Sequence, residues 1–202
     1  MTTLMTYVEP IDVHAPVTRV GGVPLVPAGF SWPDCAECDG PMQFLAQLFL
    51  DDLAPKAAAA GGAVLSIFMC QNDPGLCGEW DPQSGGNRAL LFSRDGLTAA
   101  LVPAEGKTLF PESWKIGYVT VNEPADLAVL GGDPVLGQLG GNPVWLQDDE
   151  TPTCPSCAAP MGFVAQLEEG HGGNESMNFG GGGIGYAFAC EPCAQGLFLF
   201  QC

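Results

Sequence analysis

Eight of the nine cysteines fall into groups whose spacing suits a metal ion. In the C-terminal half, Cys154-x-x-Cys157 is followed after 32 intervening residues by Cys190-x-x-Cys193. Two knuckles on separate loops bring four thiolates together. Four soft sulfur donors select tetrahedral zinc or iron–sulfur chemistry over magnesium or calcium. Pro155 and Pro192 lie inside these knuckles and restrict the turns that aim the sulfurs. The N-terminal half carries Cys35-x-x-Cys38, 31 intervening residues, then Cys70 and Cys77 with six residues between them. The turn sequence Asn72-Asp73-Pro74-Gly75 loosens that last pair and leaves the part played by Cys77 open. Cys202 has no counterpart and reads as a free thiol. The spacing predicts two structural Zn²⁺ ions, one held by Cys35, Cys38, Cys70 and Cys77, the other by Cys154, Cys157, Cys190 and Cys193.

Other chemistry fits these residues less well. A redox Cys-x-x-Cys pair needs a helix N-terminus in a βαβ setting to lower one thiol pKa, whereas each first knuckle here runs into a Pro-Met-x-Phe strand. Catalytic zinc keeps an open position among His and carboxylate ligands. The chain has only His14 and His171, both read as surface or packing residues. Gly180-x-Gly182-x-x-Gly185 matches a dinucleotide loop in letters, but it runs into a strand rather than out of one into a helix. Asp148-Asp149-Glu150 reads as a solvated acidic turn. No catalytic or cofactor-binding residue is assigned.

The elements that position the cysteines come in two copies. Gly21-Gly22-Val23-Pro24, Cys35-x-x-Cys38 and Pro41-Met42-x-Phe44-x-Ala46-Gln47-Leu48 recur 119 residues later as Gly140-Gly141-Asn142-Pro143, Cys154-x-x-Cys157 and Pro160-Met161-x-Phe163-x-Ala165-Gln166-Leu167. After a one-residue gap, Val64 to Cys70 aligns with Ile184 to Cys190, pairing Phe68 with Phe188. These short apolar runs predict buried strands. Ala89 to Phe92 and Leu97 to Val102 read as a hairpin around Asp95-Gly96, Ile116 to Val121 as a further strand, and Asp51 to Ala60 as a short helix ended by Gly61-Gly62. The expected fold is mainly β, a β-rich α+β chain in which two β-rich repeats, each with a zinc knuckle, are related by a pseudo-twofold axis. A single duplicated domain spans 1–202, with repeats at about 15–121 and 132–202 and a linker near 122–131.

Composition narrows the function. The 202 residues include 47% hydrophobic and 14% charged residues, a globular balance, and no apolar run reaches the length of a membrane span. No basic segment followed by an apolar stretch opens the sequence, so a cytoplasmic location is expected. In a reducing compartment, paired cysteines bind metal more often than they form disulfides. The formal charge is −17, and residues 116–202 contain ten acidic residues with no Lys or Arg. Nucleic acid is an unsuitable partner for such a surface, and a basic protein client a suitable one.

Gly21-Gly-Val-Pro24, Trp32-Pro33, Phe44-Leu-Ala-Gln47, Leu139-Gly-Gly-Asn-Pro143 and Phe163-Val-Ala-Gln166 resemble the YwqG-like family of duplicated bacterial proteins of unknown function. The knuckles followed by a Tyr-x-Phe-x-Cys strand also resemble eukaryotic programmed cell death protein 2 and its relatives. That second resemblance implies a chaperone of a basic ribosomal protein. Together with the charge, it makes a non-enzymatic chaperone- or adaptor-like module the expected function. An enzyme using Asp148, Asp149 or His171 at the repeat interface and a toxin-neutralising immunity protein are the alternatives.

Overall fold

In a computed structural model, residues 2–53, 62–121, 135–169 and 176–202 are described. They form twelve strands: β1 (Thr2–Pro10), β2 (Arg19–Val20), β3 (Leu25–Val26), β4 (Gln43–Phe49), β5 (Ala63–Met69), β6 (Asn87–Ser93), β7 (Thr98–Ala99), β8 (Trp114–Val121), β9 (Val135–Leu139), β10 (Gly162–Glu168), β11 (Ile184–Cys190) and β12 (Gln195–Gln201). Ten of them make one sheet in the order β12-β11-β10-β9-β1-β8-β2-β4-β5-β6. The sheet curls until its edge strands β6 and β12 lie against each other. At that seam Gly196 is required, because a Cβ there would stand 2.8 Å from the Ala89 carbonyl oxygen and 2.6 Å from Leu65 Cδ1. No helix among the described residues is long and apolar enough to cross a membrane.

The strand order is a palindrome of two five-strand halves that meet at the antiparallel pair β1–β8. Pairing registers repeat residue by residue. Phe44 faces Phe68 and Gln47 faces Ser66, just as Phe163 faces Phe188 and Gln166 faces Tyr186. Both ladders shift register at the same place, Leu45 in one half and Val164 in the other. The two shifted residues accept the N–H of the first turn glycine, Gly21 and Gly140, each at 2.8 Å. Both turn glycines of each half hold positive φ, between 63° and 77°. In that left-handed region a side chain is strained, which explains the repeated Gly-Gly.

The glutamine two residues after each shift holds the chain that leaves the Gly-Gly turn. Gln47 is fully buried; its Oε1 accepts the Leu25 N–H (3.0 Å) and its Nε2 donates to the Leu25 carbonyl (2.6 Å) and Ser66 Oγ (2.8 Å). Gln166 Oε1 accepts the N–H of Val144, the repeat partner of Leu25, at 3.0 Å. Alternation then assigns the two faces of each strand. On β5, Leu65, Ile67 and Met69 point into one core shared with Leu48, Leu167, Ala187 and Phe198, while Phe68 and Cys70 point outward. On β11, Ala187 and Ala189 point inward and Tyr186, Phe188 and Cys190 outward.

One expectation changes, and another is described only at its start. Residues 97–102 do not pair back on β6. After the turn at Gly96 (φ +69°), only Thr98–Ala99 is a strand, and it pairs with β3 in a separate two-stranded sheet. The reason is the outer face of the barrel, where Phe49 and Val64 need cover that Leu25, Leu97 and Ala99 supply. Where the expected helix at 51–60 begins, Leu50–Asp52 forms one 3-10 turn; residues 54–60, like the expected linker at 122–131, lie outside the described residues.

The glutamine pin gives a direct test. Gln47→Leu would strand both polar groups of the buried Leu25 backbone. At roughly 1–3 kcal/mol for each unsatisfied group, it should lower stability by about 2–5 kcal/mol. Gln166→Leu, whose backbone partner Val144 is exposed, should lose about half as much. Chemical denaturation of the two variants beside the parent protein measures the difference.

Candidate metal centres

Each cluster is built from a turn before a strand and a turn after one. In the first half, Asp34 and Pro41 form an isolated bridge, and within it the Cys35 N–H donates to the Gly40 carbonyl (2.9 Å) and the Asp39 N–H to the Cys35 carbonyl (3.0 Å). In the second half, Thr153 and Pro160 form the same bridge, with Cys154 N–H to the Ala159 carbonyl and Ala158 N–H to the Cys154 carbonyl, both 2.8 Å. The other two ligand candidates of each cluster come from the end of β5 or β11 and the loop beyond it. Cys190 ends β11, and a 3-10 turn over Glu191–Cys193 returns Cys193 beside it.

Backbone conformation marks the four turns. Among the described residues, three non-glycine residues have positive φ: Asp39 (56°), Ala158 (58°) and Ala194 (49°). Each directly follows the second cysteine of a pair. The fourth such position, after Cys77, is Gly78 at 61°. A left-handed alanine is strained by about 1–2 kcal/mol, and such strain persists only where the surroundings over-determine it. The turn after Cys77 therefore has knuckle geometry in spite of its longer loop.

The structure brings both predicted sets together. The sulfurs of Cys35, Cys38, Cys70 and Cys77 all lie within 4.8 Å of one another, and so do those of Cys154, Cys157, Cys190 and Cys193. None of the nine cysteines is in a disulfide. Cys38 and Cys70 sulfurs are 3.7 Å apart, Cys157 and Cys190 sulfurs 3.8 Å. A tetrahedral zinc with bonds near ~2.3 Å demands sulfur–sulfur edges of about 3.8 Å. Both cages fit a tetrathiolate metal ion. Cys202 stands apart, exposed at the end of β12.

The two cages differ in their surroundings. Cys35, Cys70 and Cys77 are at most 2% exposed, whereas only Cys154 of the second cage is buried and Cys157 is open to solvent. Aromatic rings cover the strand beneath each cage. Trp32 and Phe44 contact Phe68 at 5.3 and 5.4 Å, and Trp145 and Phe163 contact Phe188 at 6.0 and 5.7 Å. Two residues of the first cage were invisible as site residues in the sequence. Asn72 Nδ2 points at the sulfurs of Cys38 (3.4 Å) and Cys70 (3.6 Å) and donates to the Pro41 carbonyl (3.3 Å). Gly40 makes room for it, since a Cβ there would stand 2.6 Å from that nitrogen; the repeat partner of Gly40 is Ala159, in a cage where no such amide stands among the described residues. Glu79, 3% exposed, accepts the N–H groups of Gly75 and Cys77 and so folds the six-residue loop. The Asn-Asp-Pro-Gly letters signalled only a turn, and Glu79 gave no signal.

In the thiol form, each cage holds sulfurs pushed in opposite directions. The Gly40 N–H and then the Asn72 amide lower the Cys38 pKa, while burial raises Cys70 and Cys77. Burial also raises Cys154, but the N–H groups of Cys157 and Ser156 outweigh it and bring that thiol down to about 7. Hydrogen bonds with Cys157 and Cys190, followed by burial, push Cys193 up to about 12. Protons therefore leave each cage in steps, and a metal ion must displace those that remain.

The family model for a domain of unknown function, DUF1963, matches residues 18–118, from β2 through most of β8, and this span contains the whole first cage. The chain belongs to the DUF1963 family. It is also similar to the uncharacterized protein YpfL of Salmonella typhimurium, 45% identical over 66 residues, which are 33% of this chain and 15% of that protein. The chain thus spans a small part of the length of the relative it matches. The second half of this DUF1963 protein repeats the matched unit's registers and its cage.

Residues considered for other chemistry lie elsewhere. Asp149 is exposed and accepts the N–H and hydroxyl of Thr151, whose hydroxyl contact first and N–H second lower its pKa. The Asp148 carbonyl accepts Gln201 Nε2 at 2.8 Å. His14 is exposed beside Asp12, and His171 lies outside the described residues. The glycine loop at 180–183 is wrapped on the Glu169 carboxylate, which accepts N–H groups from Phe179, Gly181, Gly182 and Gly183. Its backbone donors are already used within the chain.

The difference in burial predicts an order of metal loss. Under a chromophoric chelator, the loaded protein should release metal in two phases, the exposed second cage first. Cys157→Ser should abolish the fast phase and Cys38→Ser the slow one; a single phase in the parent protein would contradict the order.

Proposed function

We propose that this DUF1963 chain is a cytoplasmic, zinc-stapled, non-catalytic binding module that holds a basic protein segment. The observation that carries the reading is the pair of four-thiolate cages on the outer faces of one barrel. Four sulfurs fill tetrahedral coordination and leave no position for substrate or water. When bound, each zinc supplies a cross-link between loops, worth roughly 10–16 kcal/mol of binding free energy in small zinc domains. The chain's own residues do the rest: the knuckle N–H groups and Asn72 orient the sulfurs, and the aromatic cover shields each cage from below. Each loaded cage is also a dianion, which deepens the −17 charge of the chain and favours a cationic partner through long-range attraction. The motif likeness to programmed cell death protein 2 supports the chaperone- or adaptor-like form of this reading.

Two measurements test it. Elemental analysis should return two zinc ions per chain, and their removal at neutral pH should lower the thermal midpoint by more than about 10 °C. The loaded protein should also bind a fluorescein-labelled peptide of about ten residues, rich in Arg and Lys, at about 50 mM salt and release it near 500 mM. Absence of zinc, or of any binding at low salt, would refute the reading.

A further inference from the structure

The seam that closes the barrel carries a groove of about 760 Å³. One wall is the loop of the first half after Cys77, with Trp80, Asp81, Pro82 and Gln83; the other is the turn of the second half before Cys154, with Gln147 and Glu150. Phe200 N–H reaches the Trp80 carbonyl at 3.4 Å and ties the walls together at the base. Gln201 fixes the far wall. Its Oε1 accepts the N–H groups of Leu146 and Gln147, and its Nε2 donates to the Asp148 carbonyl and to Glu150 Oε2.

The lining has a definite chemistry. Trp80 is 49% exposed, an indole left half in water although it stands beside a packed seam. Asp81 spends one carboxylate oxygen on the Gln83 N–H and Glu150 spends one on Gln201; the other oxygen of each has no partner among the described residues. Among the described residues, no Lys or Arg lines the groove. The second wall belongs to the stretch 116–202 that carries no Lys or Arg. A guanidinium matches this arrangement, because it can stack on an indole face while its N–H fork meets carboxylates. An ammonium ion satisfies the charge but not the planar stack.

We propose that the seam groove is the docking site for an extended, arginine-bearing protein segment, with one arginine between Trp80 and the Asp81 and Glu150 carboxylates. This rests on the basic-partner reading above and locates it. The probe is the labelled peptide in two forms, one with arginine and one with lysine at every basic position, followed by fluorescence anisotropy at about 50 mM salt. Trp80→Ala and the pair Asp81→Asn with Glu150→Gln should each weaken the arginine form about tenfold. The pair Asp95→Asn with Glu105→Gln, exposed carboxylates outside the groove that remove the same charge, should change it less than about twofold. The lysine form should bind the parent protein several-fold more weakly than the arginine form. Metal content and thermal midpoint of each variant verify that it is folded. If both charge-removing pairs weaken binding alike, or the two peptides bind equally, the groove proposal is overturned and diffuse attraction to a basic partner remains. If the parent protein binds neither peptide, the basic-partner reading itself fails.

Discussion

Gln47 and Gln166 stand two residues beyond a register shift on the outward face of the sheet, and each holds the backbone at the end of the Gly-Gly turn. The shift and the glutamine act together. The shifted residue offers its carbonyl to the first turn glycine, and the glutamine amide takes the backbone four residues on from it. The chain leaves this clamp on a fixed course and meets the strand again at the knuckle, so the clamp helps to aim the first two sulfurs of each cage. An amide serves better than an apolar side chain because the clamped backbone groups cannot all turn to water. The same constraint accounts for repeat letters that a metal site alone would not require, namely Gly-Gly-x-Pro and Ala-Gln-Leu.

Strand alternation turns that clamp into a two-faced structure. The inward residues of β5 and β11 build one core between the halves, and the outward residues build two small clusters, each containing cysteines and aromatic rings. The buried rings of the outer clusters, Phe44 and Phe68 in one and Tyr186 and Phe188 in the other, sit on strands, so their burial, at roughly 1.5–3 kcal/mol each, holds the strands rather than the loops that carry the cysteines. A tetrathiolate metal ion supplies a cross-link of larger magnitude at that point. The barrel and the cages thus divide the work: burial holds the strands, and sulfur–metal bonds hold the loops that project from them.

Much of this was legible in the sequence because the signals were local. The 119-residue repeat, the strand around each Phe-x-Ala-Gln and the eight clustered cysteines all follow from letters close to one another. What the letters hid depends on distant partners. The Asp95-Gly96 turn looks like a hairpin, but the competing demand of Phe49 and Val64 for cover draws Thr98–Ala99 away to Leu25–Val26. Cys77 looked displaced because the loop before it is long; the left-handed Gly78 and the Glu79 carboxylate restore its aim. Asn72 becomes a neighbour of sulfur only because Gly40, 32 positions earlier, has no side chain in its path.

The placement of β1 shows why two repeats make one folding unit. In the first half, the strand beside β2 is β8, the last strand of that repeat; in the second half, the equivalent place beside β9 is taken by β1, from the other end of the described chain. Leu4 and Met5 of β1 are buried, and Met5 lies in the core that also contains Leu136, Leu139 and Leu167 of the second half. Without β1, the second half would expose both that core and the polar edge of β9, an unpaired strand edge of the kind that recruits other chains. Each metal cage is local to its own half, whereas the core and the sheet are closed only by crossing between halves. The seam where β6 meets β12 is the last junction of that crossing. There, loops from both halves face each other across open space, which is why the cages, each serving one wall, bear on the shape of the groove between them.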